Sequence, residues 1–92
     1  HYSKIIIECD TIEQFEESLG LGAEIILLDN MSPDKIKYCI SKNTNNVIIE
    51  ASGGITLQNV KEYAQTGVDI LAIGAITHSS PASDISLDII QK

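Results

Sequence analysis

The sequence contains no arginine and no tryptophan. All six of its cations are lysines, set against 13 acidic residues, so the formal charge is -7 and the pI about 4.5. A surface of that sign repels phosphodiester backbones and anionic lipid headgroups, which argues against nucleic acid or a charged membrane as partner. No apolar run approaches the roughly 18 residues that span a bilayer, and the first residues lack the layout of a secretory signal. A cytoplasmic location is expected. Cys9 and Cys39 lie in or near apolar segments without CxxC spacing. Two free buried thiols are expected in preference to a disulfide or a metal pair.

What is present is aliphatic. Of the 92 residues 43% are hydrophobic but only 4% aromatic, enough for one small domain or a piece of a larger one. Four apolar runs recur: Ile5-Ile6-Ile7, Ile25-Ile26-Leu27-Leu28, Val47-Ile48-Ile49 and Ile70-Leu71-Ala72-Ile73; from Ile5 to Ile25, Ile25 to Ile48 and Ile48 to Leu71 the separations are 20, 23 and 23 residues. Short continuous runs of this kind read as strands buried on both faces, here near 4–9, 24–29, 47–51 and 69–74. Stripes of helical period fall between them: Ile12, Phe15 and Leu19; Ile36, Cys39 and Ile40; Leu57, Val60, Tyr63 and Ala64. Thr11 with Gln14 forms a capping box, and Gly20 suits the left-handed position after the helix. Ser32-Pro33 starts a second helix, while Thr56 and Gly67 bracket a third. Helices are expected near 11–19, 33–42 and 56–66. Gly22-Ala23-Glu24-Ile25-Ile26 returns 45 residues later as Gly67-Val68-Asp69-Ile70-Leu71, an echo two units long. The fold class is therefore α/β: four consecutive βα units of a parallel sheet with right-handed crossovers. Ile85, Leu87 and Ile89 alternate with polar residues, so an extended C-terminal segment is expected, with a short helix as the alternative.

In βα folds ligands bind where strands end and helices begin. Those ends carry Glu8 and Asp10; Asp29 and Asn30; Glu50, Ser52, Gly53 and Gly54; Gly74, Ala75, Thr77 and His78. Ser52-Gly53-Gly54 is the sharpest motif, since glycines let backbone N–H groups approach an anion ahead of a helix. Gly74-Ala75 ends the next strand similarly, and adjacent glycine loops suit a phosphate. Read alone, Gly53-Gly54 could merely make a tight turn. Glu8 and Asp29 suit Mg²⁺ or sugar hydroxyls; the competing role is as helix-N-terminal carboxylates. Glu50 reads as structural beneath the loop and Asp10 as part of a cap. His78 either touches phosphate or is a hydrogen-bonded loop residue. No nucleophile–base pair is evident.

These segments resemble the quinolinate phosphoribosyltransferase family, the carboxylating nicotinate-nucleotide pyrophosphorylases. Ile7-Glu8-Cys9-Asp10, Glu24 through Met31, Glu50-Ala51-Ser52-Gly53-Gly54-Ile55-Thr56 and Gly67 through Ser79 carry the likeness, in order, over nearly the whole chain. Cys9 in place of the commoner aliphatic is a mild departure. The resemblance implies an enzyme of NAD biosynthesis, a transferase. It would move phosphoribose from phosphoribosyl pyrophosphate to quinolinate, releasing pyrophosphate and CO2 and giving nicotinate mononucleotide. By position, Glu8 and Asp29 would engage the ribose hydroxyls and Mg²⁺ as catalytic and metal residues. Ser52, Gly53, Gly54, Gly74, Ala75 and His78 would bind phosphate. The resemblance also implies half of an incomplete TIM-like α/β barrel and a full-length enzyme that is a homo-oligomer, dimer or higher.

One absence limits the resemblance. The family holds the quinolinate dicarboxylate with Arg, Lys and His residues that precede this region, and this chain has no arginine and only His1 and His78. A closed barrel needs roughly 200 residues or more. Residues 1–92 are therefore expected to be a single partial domain, carrying the phosphoribosyl side of the site and inactive alone. Two other readings stand beside this one: a non-catalytic phosphate-binding half-barrel that dimerises, and a different phosphate-binding βα-barrel enzyme.

Overall fold

A computed structural model of the chain describes residues 4–74. Ala75, His78 and the C-terminal segment lie outside the described residues. Within them the order is β1 (Ile6–Cys9), α1 (Ile12–Gly20), β2 (Ile25–Asp29), α2 (Pro33–Lys42), β3 (Ile48–Ser52), α3 (Val60–Ala64) and β4 (Ile70–Leu71). All pairings are parallel and the strands lie in chain order, β1-β2-β3-β4. This is the architecture that the four evenly spaced runs predict.

Helix boundaries follow their capping chemistry. Thr11 Oγ1 accepts from the Gln14 N–H at 3.1 Å, while Gln14 Oε1 reaches back to the Asp10 N–H at 2.8 Å, one residue before the cap. Ser32 Oγ accepts from the Lys35 N–H at 3.3 Å, with Pro33 at the first helical position. Two boundaries differ from expectation. Gly20 remains inside α1, and Gly22, at φ +78°, is the left-handed residue that turns the chain. Thr56 does not cap α3: its hydroxyl accepts from the Gln58 N–H at 3.2 Å, and the helix begins only at Val60. Residues 57–59 form a turn, which leaves Leu57 61% exposed. Ile55, 1% exposed, enters the core from that segment.

One face of the sheet carries the core. Cys9, Ile26, Leu28, Ile49 and Ala51 pack there with Phe15, Ile36 and Cys39 from the helices. Cys9 and Cys39 are free and buried, as expected. The Ser18 hydroxyl donates to Gln14 O at 2.8 Å, so the Cys9 thiol, 3.2 Å away, is the donor of that pair. Burial, then the neighbouring Cys9 and Glu16, push the Cys39 thiol up to about 11.

The opposite face is open, against the expectation of two-sided burial. Ile6 and Ile48 are 54% and 41% exposed. In register, Ile6, Ile25 and Ile48 form an apolar row; Glu8, Leu27, Glu50 and Ile70 form the next; Asp29 and Ser52 form the last. Burying that face requires the sheet to curl until it closes on itself, which four strands cannot do.

Candidate functional site

Strand periodicity alone sorts the polar residues. Side chains alternate between faces, and Glu8, Asp29, Glu50 and Ser52 all fall on the open face, towards the carboxyl end. The same alternation sends Cys9, Leu28 and Ala51 into the core.

Two different surfaces meet here. The first is an acidic cavity of about 230 Å³ lined by Glu8, Asp10, Gln14 and Asp29. The sequence reading gave Asp10 to the helix cap; its backbone does take part in that cap, yet the residue also lines this cavity. Such a surface can accept from hydroxyls or surround a hard cation.

The second surface is the loop after β3. Gly53 and Gly54 have φ of +83° and +73°, a region that side chains with a Cβ rarely occupy. A Cβ at Gly53 would stand 2.7 Å from Asp29 Oδ1 and 2.8 Å from Asn30 N, so only glycine lets the loop lie against the end of β2. Asn30 is itself left-handed, at φ +61°, and its N–H donates to Ser52 O at 2.8 Å. The amides of Gly53, Gly54 and Ile55 donate to nothing among the described residues. Gly74 N–H donates to Ile55 O at 3.2 Å, which brings the end of the fourth unit beside this loop.

The donors here are loop amides, not a helix end. α3 has five residues and begins well past Gly54, so its dipole adds little. Asp29 borders both surfaces, lining the acidic cavity and touching Gly53. The structure therefore brings together Glu8, Asp29, Ser52, Gly53, Gly54 and Gly74. Glu50 sits one layer below Ser52, half-buried, and burial pushes its carboxyl above the usual range. Sequence reasoning placed Asn30 at the end of the second strand without giving it a role, and missed Asn59. Asn59 bridges the loop, and its only sequence signal was its place three residues after Thr56.

Among the described residues no group of three or more His, Cys, Asp and Glu is placed to hold a metal by itself, and no helix is long and apolar enough to cross a membrane.

Comparison with known proteins bears on the whole chain. Residues 1–88 match the model of the quinolinate phosphoribosyl transferase C-terminal domain. A probable nicotinate-nucleotide pyrophosphorylase (carboxylating) of Bacillus subtilis strain 168 is 38% identical over 89 residues, 97% of this chain and 31% of its own length. The crystal structure of nicotinate-nucleotide pyrophosphorylase from Ehrlichia chaffeensis superposes with a TM-score of 0.77 at 45% identity, covering 83% of this chain and 28% of that one. A native KDPGal structure, 18% identical, covers 95% of this chain and 44% of its own with a TM-score of 0.68, a likeness of fold alone. The chain thus spans about a third of the length of the curated relatives it matches.

Proposed function

The chain belongs to the quinolinate phosphoribosyl transferase C-terminal domain family, and from that premise we propose that it carries the phosphoribosyl side of a decarboxylating transferase of NAD biosynthesis. In the proposed reaction the quinolinate nitrogen attacks C1 of phosphoribosyl pyrophosphate, and the bond to pyrophosphate breaks with its electron pair leaving on oxygen. The adduct then loses one ring carboxylate as CO2, the ring carbon takes up a proton, and nicotinate mononucleotide results.

The observation that carries this reading is the meeting of unlike surfaces at Asp29. A phosphorylated sugar has the same division: an anionic end suited to free amides, and hydroxyls that donate to carboxylates. Ser52, Gly53 and Gly54 hold the phosphate, with Gly74 completing the cradle and Ala75 and His78 assigned to it from the sequence. Glu8 and Asp29 take the ribose hydroxyls and orient the ring. They also fit Mg²⁺, which usually takes one or two carboxylates and fills its shell with water and substrate phosphate; that ion would neutralise the charge of the pyrophosphate. In the transition state the ribose resembles an oxocarbenium ion, and acidic groups around it favour that charge.

The quinolinate carboxylates require cations; the chain has no arginine, and no lysine lines the acidic cavity. The proposal assigns those cations to the remainder of a longer enzyme, homo-oligomeric and cytoplasmic. The exposed Ile6 and Ile48 and the two free thiols support that assignment. Incubation with quinolinate and phosphoribosyl pyrophosphate tests it. The full-length enzyme should form nicotinate mononucleotide and residues 1–92 should not; turnover by the isolated chain would refute the division of the site.

A further inference from the structure

We propose that Asn59 is the positioning residue of the phosphate loop, holding the peptide after Gly54 so that its N–H, and not its carbonyl, faces the phosphoryl group. The inference rests on the reading of Ser52–Gly54 as that loop. Asn59 occupies the N-cap of α3, where an Asn side chain ordinarily accepts from the first helical turn. Here it makes no such bond. Its Oδ1 accepts from the Thr56 N–H at 2.7 Å, and its Nδ2 donates to Gly54 O at 3.0 Å. Both ends of the amide are turned upstream, onto the loop.

Peptide planarity converts that pair of bonds into a direction. The C=O and N–H of one peptide point opposite ways. Fixing Gly54 O on Asn59 therefore fixes the Ile55 N–H on the other side. Asn30 does the same two peptides earlier: its N–H holds Ser52 O at 2.8 Å, which orients the Gly53 N–H. With the Ile55 carbonyl taken by Gly74, the acceptors of Ser52, Gly54 and Ile55 are all engaged, while the amides of Gly53, Gly54 and Ile55 donate to nothing among the described residues. At the two clamped peptides the loop then offers an incoming anion a donor and turns the carbonyl away. Glycine resists peptide rotation least of all residues, so Gly54 needs an external clamp. In its absence the peptide can turn its carbonyl towards the phosphate.

The test is calorimetric titration of ribose 5-phosphate, with unphosphorylated ribose as the blank, into the full-length protein carrying Asn59→Ala, Asn59→Asp or the neighbouring control Gln58→Ala. Asn59→Asp retains the acceptor for the Thr56 N–H but replaces the donor to Gly54 O with an acceptor and adds a negative charge, so Asn59→Ala is the variant that isolates the clamp. Both Asn59 variants should weaken binding about tenfold, the scale of one well-placed hydrogen bond, with Gln58→Ala unchanged. KM for phosphoribosyl pyrophosphate should rise by a similar factor while KM for quinolinate stays level, a split that a general loss of stability does not produce. Wild-type affinity in both Asn59 variants would overturn the inference and leave the phosphate loop intact. Failure of the wild-type protein to bind ribose 5-phosphate would remove the loop reading itself, and this inference with it.

Discussion

Alanine at Gly53 and at Gly54 should have clearly different effects, although the residues adjoin and share a backbone sign. Each has positive φ, +83° and +73°, and a Cβ in that region costs roughly 1 kcal/mol. At Gly54 little else follows, because the nearest atom to the new methyl is Asn30 Oδ1 at 3.7 Å, an ordinary contact. At Gly53 the methyl would lie 2.8 Å from Asn30 N, which is backbone, and 2.7 Å from Asp29 Oδ1. Relief requires β2 and the loop to part, and the Asn30 N–H to Ser52 O bond of 2.8 Å joins them there. Losing that bond adds about 1 kcal/mol, and residual crowding brings the expected total to roughly 2–3 kcal/mol. Gly20→Ala provides the opposite control. Gly20 lies in α1 with nothing within 4 Å of its missing Cβ, so alanine should stabilise by roughly 0.5–1 kcal/mol. Urea unfolding of the three variants at equal m-value measures the series. If Gly54→Ala proves as damaging as Gly53→Ala, the close approach of the loop to β2 is wrong.

Two further outcomes are expected. Asp29→Asn in the full-length enzyme should lower kcat/KM by roughly ten- to a thousand-fold with little change in melting temperature, since one transition-state contact is worth about 1–4 kcal/mol; a lowered melting temperature with intact turnover would make the residue structural. Burial raises the Glu50 carboxyl, so the folded state binds its proton more readily than the unfolded chain. Stability should therefore fall as pH rises from the ordinary carboxylate range through the raised value. Glu50→Gln should flatten that part of the pH–stability curve and raise stability at neutral pH, read by thermal unfolding from pH 4 to pH 8.

The four strands and α2 were legible because apolar runs and Ser32-Pro33 are local signals that no distant contact contradicts. The start of α3 was not, since Thr56 is a plausible cap by residue type, yet its hydroxyl accepts from the Gln58 N–H within a turn and the helix begins at Val60. Gly20 and Gly22 compete for one turn, and sequence cannot say which takes positive φ. At the site, Glu8, Asp29 and Ser52 were visible from their place at strand ends. The shared border at Asp29 was not, because it arises from a contact between residues 24 positions apart. Two-sided burial was inferred from continuous apolar runs, which record what the strands meet in a finished barrel rather than what four units provide.

Strand order equal to chain order governs how this domain forms. Each new strand pairs with the one made just before it, about 20 residues upstream, so every closure spans a similarly short loop and none waits for sequence far ahead. A ribosome would release β1 before β2, β3 and β4, and so supply a partner for each newest edge in turn. The sheet can grow vectorially, one βα unit at a time, with the glycine loop after β3 taking shape once β2 is there to receive it.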